Sequence, residues 1–233
     1  MPTSWKDHID ETDHMRSSVP PFPGLGRDTS KYLVRGERVP SVTEVIQAAG
    51  GVDFSDIAPG VLENAANRGK WVHYGCELID AGKRAAAILR AKVGTDCFNE
   101  ELAPRLVAYE RFLGETGWVN HHSELLVRHL DQRYCGTLDR VGNLPGGDFG
   151  VLDIKLPAMS QPAWGLQLSA YLEAFNTGGD RTLTKRYSLQ LHKNGRYELS
   201  EPKDSHIQDF IVFLAMNRVA HWKIRHNLLQ LAA

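Results

Sequence analysis

The chain has 233 residues, 42% hydrophobic and 24% charged, enough for one well-buried domain with appendages and short for two. A formal net charge of −1 argues against a protein that coats long duplexes, so any basic surface must be local, as in a narrow catalytic cleft. Three scattered cysteines (Cys76, Cys97, Cys135) with no Cys-x-x-Cys pair point to free thiols, argue against structural zinc and fall short of an iron–sulfur ligand set.

Residues 1–30 are polar, with Ser17-Ser-Val-Pro-Pro-Phe-Pro-Gly24 near their centre, and read as an N-terminal arm before a single domain over 31–233. The start lacks a signal-type apolar core, and no run approaches about 18 apolar residues. A soluble, cytoplasmic protein without a membrane partner is expected. Tyr32 to Val39 predicts a small hairpin with Arg35-Gly36-Glu37 at its tip. Ser41 then caps a helix through about Ala49, with Glu44 as its capping-box partner. A long helical stretch runs from about Pro59 to Ala91, capped by Ser55 or Asp56 and broken near Gly75 or Gly82. A second runs from about Ala103 to Glu115, with Leu106, Tyr109, Phe112 and Leu113 as its apolar stripe.

Strands are predicted at about 122–129, 134–142 and 149–155, with Asn143-Leu-Pro-Gly-Gly147 supplying turn chemistry. Pro162 opens a helix to about Phe175. Strands around 185–192 and 196–200 flank the turn Lys193-Asn194-Gly195. A last helix, about 204–228, carries Ile207, Phe210, Ile211, Leu214 and Val219 as its expected buried stripe. The order predicts an α/β (α+β) domain with a central mixed sheet of about five strands flanked by helices.

The chemistry concentrates in the hairpin Gly136-Thr-Leu-Asp139-Arg-Val-Gly142 to Val151-Leu-Asp153-Ile-Lys155. If Asn143 pairs near Asp148, Asp139 falls opposite Leu152 or Asp153. Asp153 and Lys155, two apart, share a face of their strand. Aspartate fits strand interiors poorly, so both carboxylates in apolar context call for a compensating partner or ligand. Two carboxylates beside a lysine suit a divalent metal and a polarised nucleophile. Solvated strand charges are the bland alternative.

On the long helix, His73 and Glu77 are four apart and share a face, with Arg68 and Lys70 just upstream. His73 either packs in the core, with Glu77 paired to Lys70 or Lys83, or serves as a metal ligand. Gln167 and Tyr171 share a face of the helix that follows the Asp153–Lys155 strand. Glu124, on the strand after His121-His122, is a candidate supporting carboxylate. No nucleophile elbow and no glycine-rich phosphate loop occurs.

Taken in order, Arg68-Gly69-x-x-Val72-His73, Glu124, Gly136-Thr137-Leu138-Asp139-Arg140-Val141, Asp153-Ile154-Lys155 and Gln167-x-x-x-Tyr171 resemble the RecB-like branch of the PD-(D/E)XK nuclease superfamily. Pro40-Ser41-Val42-Thr43 resembles the segment before its first helix, and the likeness spans about residues 39–192. The resemblance implies a restriction-endonuclease-like core. It makes His73, Asp139, Asp153 and the Ile154 backbone carbonyl the ligands of a catalytic Mg²⁺ or Mn²⁺. Lys155 would orient or help deprotonate the attacking water, and Gln167 and Tyr171 would position substrate or Lys155. Glu124 and Glu77 are supporting residues, and Arg68, Lys70 and Arg140 candidate phosphate contacts. The implied activity is a metal-dependent deoxyribonuclease, an exonuclease on DNA ends or single strands in recombination, repair or phage DNA metabolism. A catalytically silent nucleic-acid-binding module on the same fold is the alternative. The four-cysteine iron–sulfur staple of several relatives is absent, so no cluster is expected.

Overall fold

The structure, a computed structural model, describes residues 19–23, 29–52, 57–156, 162–178 and 181–231. Most of the predicted polar arm, and the candidate caps Ser55 and Asp56, lie outside the described residues. Within them, a two-stranded hairpin precedes a five-stranded sheet with helices on both faces.

The hairpin joins β1 (Leu33–Val34) to β2 (Glu37–Arg38). Its turn needs positive φ at two successive residues, supplied by Arg35 (53°) and Gly36 (81°). Helix α1 (Val42–Ala48) starts at Ser41, whose side chain and that of Glu44 cap each other's backbone N–H as the spacing predicts. Helix α2 (Pro59–Asp80) ends where Gly82 turns left-handed at φ 64°, with Lys83 N–H bonded to Leu78 C=O at 2.8 Å. The break therefore falls at Gly82 and not at Gly75. A Cβ on Gly75 would sit 2.6 Å from Leu106 Cδ2, so that glycine admits a close neighbour inside a continuous helix.

Helix α3 (Ala85–Val93) and the turn α4 (Thr95–Cys97) lead through a π-helical segment, Phe98–Leu102, into α5 (Ala103–Thr116). The sheet follows: β3 (Val119–His129), β4 (Tyr134–Asn143) and β5 (Gly150–Lys155), then α6 (Ala163–Asn176), β6 (Lys185–Leu191), β7 (Tyr197–Ser200) and α7 (His206–Arg225). Strand order is β3-β4-β5-β6-β7. The β5–β6 pair is parallel and its neighbours are antiparallel, as a helical crossover between β5 and β6 requires. The mixed five-stranded sheet agrees with the sequence prediction.

Side-chain alternation along β5 splits the core. Leu152 and Ile154 join Trp71, Leu89, Leu106, Tyr109 and Phe112 under α2, α3 and α5. Val151 joins Val45, Leu168, Tyr171 and Phe213 under α1, α6 and α7. Each such side chain contributes about 1.5–3 kcal/mol by leaving water.

The stripe of α7 differs from expectation. Ile207 (69% exposed), Ile211 (61%) and Val219 (42%) face outward, while Asp209, Phe213, Asn217 and Ala220 are buried. A buried ion pair sets this rotation: Arg186 Nη1 on β6 lies 2.5 Å from Asp209 Oδ2 and 2.5 Å from Ser169 Oγ on α6. Among the described residues, no helix is long and apolar enough to cross a membrane.

Candidate active site

A cavity of about 850 Å³ opens where the strands of the central hairpin part. Paired residues of β4 and β5 run from Gly142↔Gly150 to Arg140↔Leu152. One step further, Asp139 Oδ2 accepts the Ile154 N–H at 2.7 Å. A side-chain carboxylate thus satisfies a strand N–H, and Asp139 is fixed at the mouth of the fork with 1% exposure. The predicted proximity of Asp139 to Asp153 follows from this register.

Helix α2 brings in His73, whose Nδ1 lies 3.4 Å from Asp139 Oδ1 and 3.7 Å from Glu124 Oε1. Glu77 follows one turn on and lines the same cavity. Glu124 reaches this position through an unusual backbone: its φ is 48° inside β3, between the paired residues Ser123↔Arg140 and Leu125↔Leu138. A left-handed non-glycine residue within a strand is strained, and such strain concentrates at functional sites. Ligand atoms of His73, Glu124 and Asp139 all lie within 4.8 Å of one another.

Beside this group, Lys155 Nζ lies 2.5 Å from Asp153 Oδ2 and donates to Gln167 Oε1 at 2.7 Å. The Gln167 amide nitrogen donates to Asp153 Oδ1 (3.4 Å) and to Tyr171 OH (3.1 Å), one helical turn along α6. That pattern fixes the amide's orientation, since only its oxygen can face an ammonium. The Lys155 ammonium thus stands between the Asp153 carboxylate and the Gln167 amide oxygen.

The electrostatics follow from crowding. Burial opposes a charged His73, but Asp139 and then Glu124 outweigh it and hold the imidazole up to about 10. Burial raises Asp153 above the ordinary carboxylate range, Lys155 pulls it down and Asp139 pushes it up. Glu77 is raised by burial and then by Glu124. A proton on His73 thus stands among carboxylates that a divalent cation would satisfy. The donor set fits one: oxygen ligands suit Mg²⁺, and a single imidazole suits Mn²⁺.

The other predicted residues fall into two groups. Lys70 lines the cavity, as do Ile154 and Gly69. Arg68 instead points Nη1 at Glu101 Oε2 (3.4 Å), and Arg140 is wholly buried. Arg140 Nε meets Asp80 Oδ2 at 2.7 Å, and Nη1 donates to the Asp139 carbonyl at 2.6 Å. Asp80 in turn accepts from Tyr109 OH at 2.7 Å. Arg140 therefore sits behind the carboxylates, 3.8 Å from Glu124 Oε1, and not on the cavity wall.

Sequence reasoning overlooked Asp80 and Tyr109, because their partner Arg140 lies far along the chain. It also overlooked the cavity wall formed by Lys31 and Tyr32, whose hydroxyl pairs with Thr137 Oγ1 at 3.0 Å. The hairpin that carries Tyr32 was legible, but not the strand it packs on.

No family model and no curated protein matches the chain. Among solved structures it is similar to an alkaline exonuclease (LHK-Exo) from Laribacter hongkongensis, at 14% identity and TM-score 0.36, covering 82% of this chain and 94% of that one. The structure of LHK-Exo in complex with dAMP gives 16% identity and TM-score 0.36, over 82% and 95%. At that level of superposition the likeness adds nothing to what the side chains establish.

Proposed function

We propose that the chain is a metal-dependent nuclease hydrolysing phosphodiester bonds in DNA, an exonuclease acting on ends or single strands in recombination, repair or phage DNA metabolism. One observation carries the reading: the ordered motif residues His73, Asp139, Asp153, Lys155 and Gln167 line one cavity at the fork of β4 and β5.

His73, Asp139, Asp153 and the Ile154 carbonyl would hold Mg²⁺ or Mn²⁺, and Glu124, whose carboxylate stands within 4.8 Å of the His73 and Asp139 ligand atoms, would support or join them. The bound ion supplies Lewis-acid polarisation of the phosphate and a water of lowered pKa. Lys155 stands ready to orient the attacking water and to stabilise negative charge that develops on the phosphate. Gln167 holds the ammonium through its oxygen, and Tyr171 holds Gln167 in turn. Lys70, on the exposed rim, is placed to meet a neighbouring phosphate. Arg140 acts one layer back, as the cation that lets Asp80, Glu124 and the Asp139 backbone approach one another.

The test is digestion of 5′- and 3′-labelled single-stranded, duplex and circular DNA with Mg²⁺ or Mn²⁺. Cleavage should cease with EDTA and fall at least about 10²–10³-fold in Asp153→Ala and Lys155→Ala, the usual loss when one transition-state contact is removed. Full activity in either variant would sink the assignment. Binding without cutting would leave a silent nucleic-acid module on the same fold.

A further inference from the structure

A second cavity, of about 670 Å³, lies where the β1–β2 hairpin, the turn between β3 and β4, and the C-terminal half of α7 meet. Four arginines line it (Arg38, Arg133, Arg218 and Arg225) against two carboxylates, Glu37 and Asp131. Arg38 is held by Glu44, and Arg133 by Glu37. Among the described residues, Arg218 and Arg225 are in no ion pair. In a chain of net charge −1, this is a local excess of positive charge that nothing in the fold consumes.

The two arginines are seven residues apart on α7, so they sit on one side, about 10 Å apart along its axis. Their helix is fastened to the turn beside them: Asn217 Nδ2 donates to the Gln132 carbonyl at 2.7 Å, and His221 Nε2 to the Arg133 carbonyl at 3.0 Å. Burial lowers the pKa of His221, its bonds to the Arg133 and Gln132 carbonyls oppose this, and the charges of Arg133 and Arg225 lower it further. The arginines are thus presented from a rigid element, which reduces the ordering cost of binding an anion.

The position relates this cavity to the first. Strand β4 starts beside it and carries Thr137 and Asp139 into the catalytic cavity. From Tyr134 to Asp139 the strand covers about 17 Å, the length of about five stacked nucleotides at 3.4 Å each. The hairpin spans the same interval, with Lys31 and Tyr32 at one cavity and Glu37 and Arg38 at the other. Taken as a cube, 670 Å³ is roughly 9 Å on a side. That is room for one sugar–phosphate backbone at a time.

From these observations we infer that Arg218 and Arg225 form a subsite for the phosphate backbone of a single nucleic-acid strand, several nucleotides from the bond that is cut. The inference rests on the nuclease reading for its ligand, and it makes a single strand the substrate class.

The experiment measures affinity by fluorescence anisotropy in EDTA, where turnover is absent, for labelled oligothymidylates from trimer to dodecamer, against salt. Wild type should bind the dodecamer far better than the trimer, and Arg218→Gln/Arg225→Gln should lose most of that gain. Two phosphate contacts fewer should flatten the log–log salt slope by about 1.4, so the wild-type advantage shrinks roughly sevenfold between 50 and 200 mM salt. Arg218→Lys/Arg225→Lys should retain the slope, and equal melting temperatures exclude misfolding. An unchanged slope in the glutamine variant, or equal binding of trimer and dodecamer by wild type, would overturn the subsite. A duplex bound more tightly than the single strand, or an acidic peptide displacing the dodecamer at equal charge, would do so too. Cleavage with an unchanged slope defeats this inference alone, whereas a changed slope without cleavage in Mg²⁺ or Mn²⁺ defeats only the hydrolase reading.

Discussion

Gly136→Ala should damage the protein through Tyr171, although neither residue would touch the metal. Gly136 lies in β4 opposite Val127, and a Cβ built there falls 2.3 Å from Tyr171 Cε1, 3.0 Å from its Cδ1 and 3.3 Å from Val42 Cγ2. Carbon atoms rest at about 3.5–4.0 Å, so more than 1 Å must be found. The strand cannot supply it, because Cys135 N–H is tied to the Pro40 carbonyl at 3.1 Å and β3 holds the other side. The ring must move, yet Tyr171 is 1% exposed and Val42 is 0%. Overpacking of this kind costs about 1–3 kcal/mol, or about 2–12 °C in melting temperature for a domain of this size. Since Tyr171 OH accepts from Gln167, cleavage should fall further than stability does. Urea denaturation followed by tryptophan fluorescence reads the first effect, and digestion of labelled DNA the second. In Gly136→Ala/Tyr171→Leu the clash is relieved, so the double variant should be at least about 1 kcal/mol more stable than additivity predicts. An unchanged midpoint for Gly136→Ala, or strict additivity, would refute the packing argument.

Other outcomes follow from the same geometry. Asp209→Ala leaves the Arg186 guanidinium buried beside Ser169 and should cost about 3–5 kcal/mol by urea denaturation; a loss below about 1 kcal/mol would contradict the clamp. Mn²⁺ at about 100 times its Kd should stabilise the protein by about 2.7 kcal/mol. Calorimetry would show this as about 5–11 °C, absent in His73→Ala and Glu124→Ala; a full shift in both would place the ion elsewhere. Burial lowers the pKa of His129 and of His221 below the unfolded value near 6.5. The neutral form of each is therefore favoured in the folded state, and the stability they lend is present above that value and lost as pH falls through the depressed one. Urea midpoints from about pH 7.5 to about 5.5 should fall less in His129→Gln/His221→Gln than in wild type; parallel curves would exclude these histidines.

Much of the fold was legible because local chemistry agrees with it. The Ser41–Glu44 capping box, the Arg35–Gly36 turn and the Lys193-Asn194-Gly195 turn each appear where their residues demand. The rotation of α7 was not legible, because its inward face carries Asp209 and Asn217, made acceptable there by Arg186 and by the Gln132 carbonyl. An apolar stripe cannot announce polar residues whose partners lie on other elements. The site shows the same division. Asp139, Asp153 and Lys155 stood out as charges in apolar strands, and α2 and α6 bring His73 and Gln167 to them. The burial of Arg140 was hidden because Asp80 and Tyr109, which neutralise and cradle it, sit on helices that no motif connects to β4.

Glu124 adopts a backbone conformation that glycine would take without strain, and it adds one more negative charge to a crowded cluster. Variants selected for thermal stability alone should accumulate glycine at position 124, and variants selected for turnover should retain the glutamate. Two such libraries from this one chain would separate what the fold prefers from what the reaction requires.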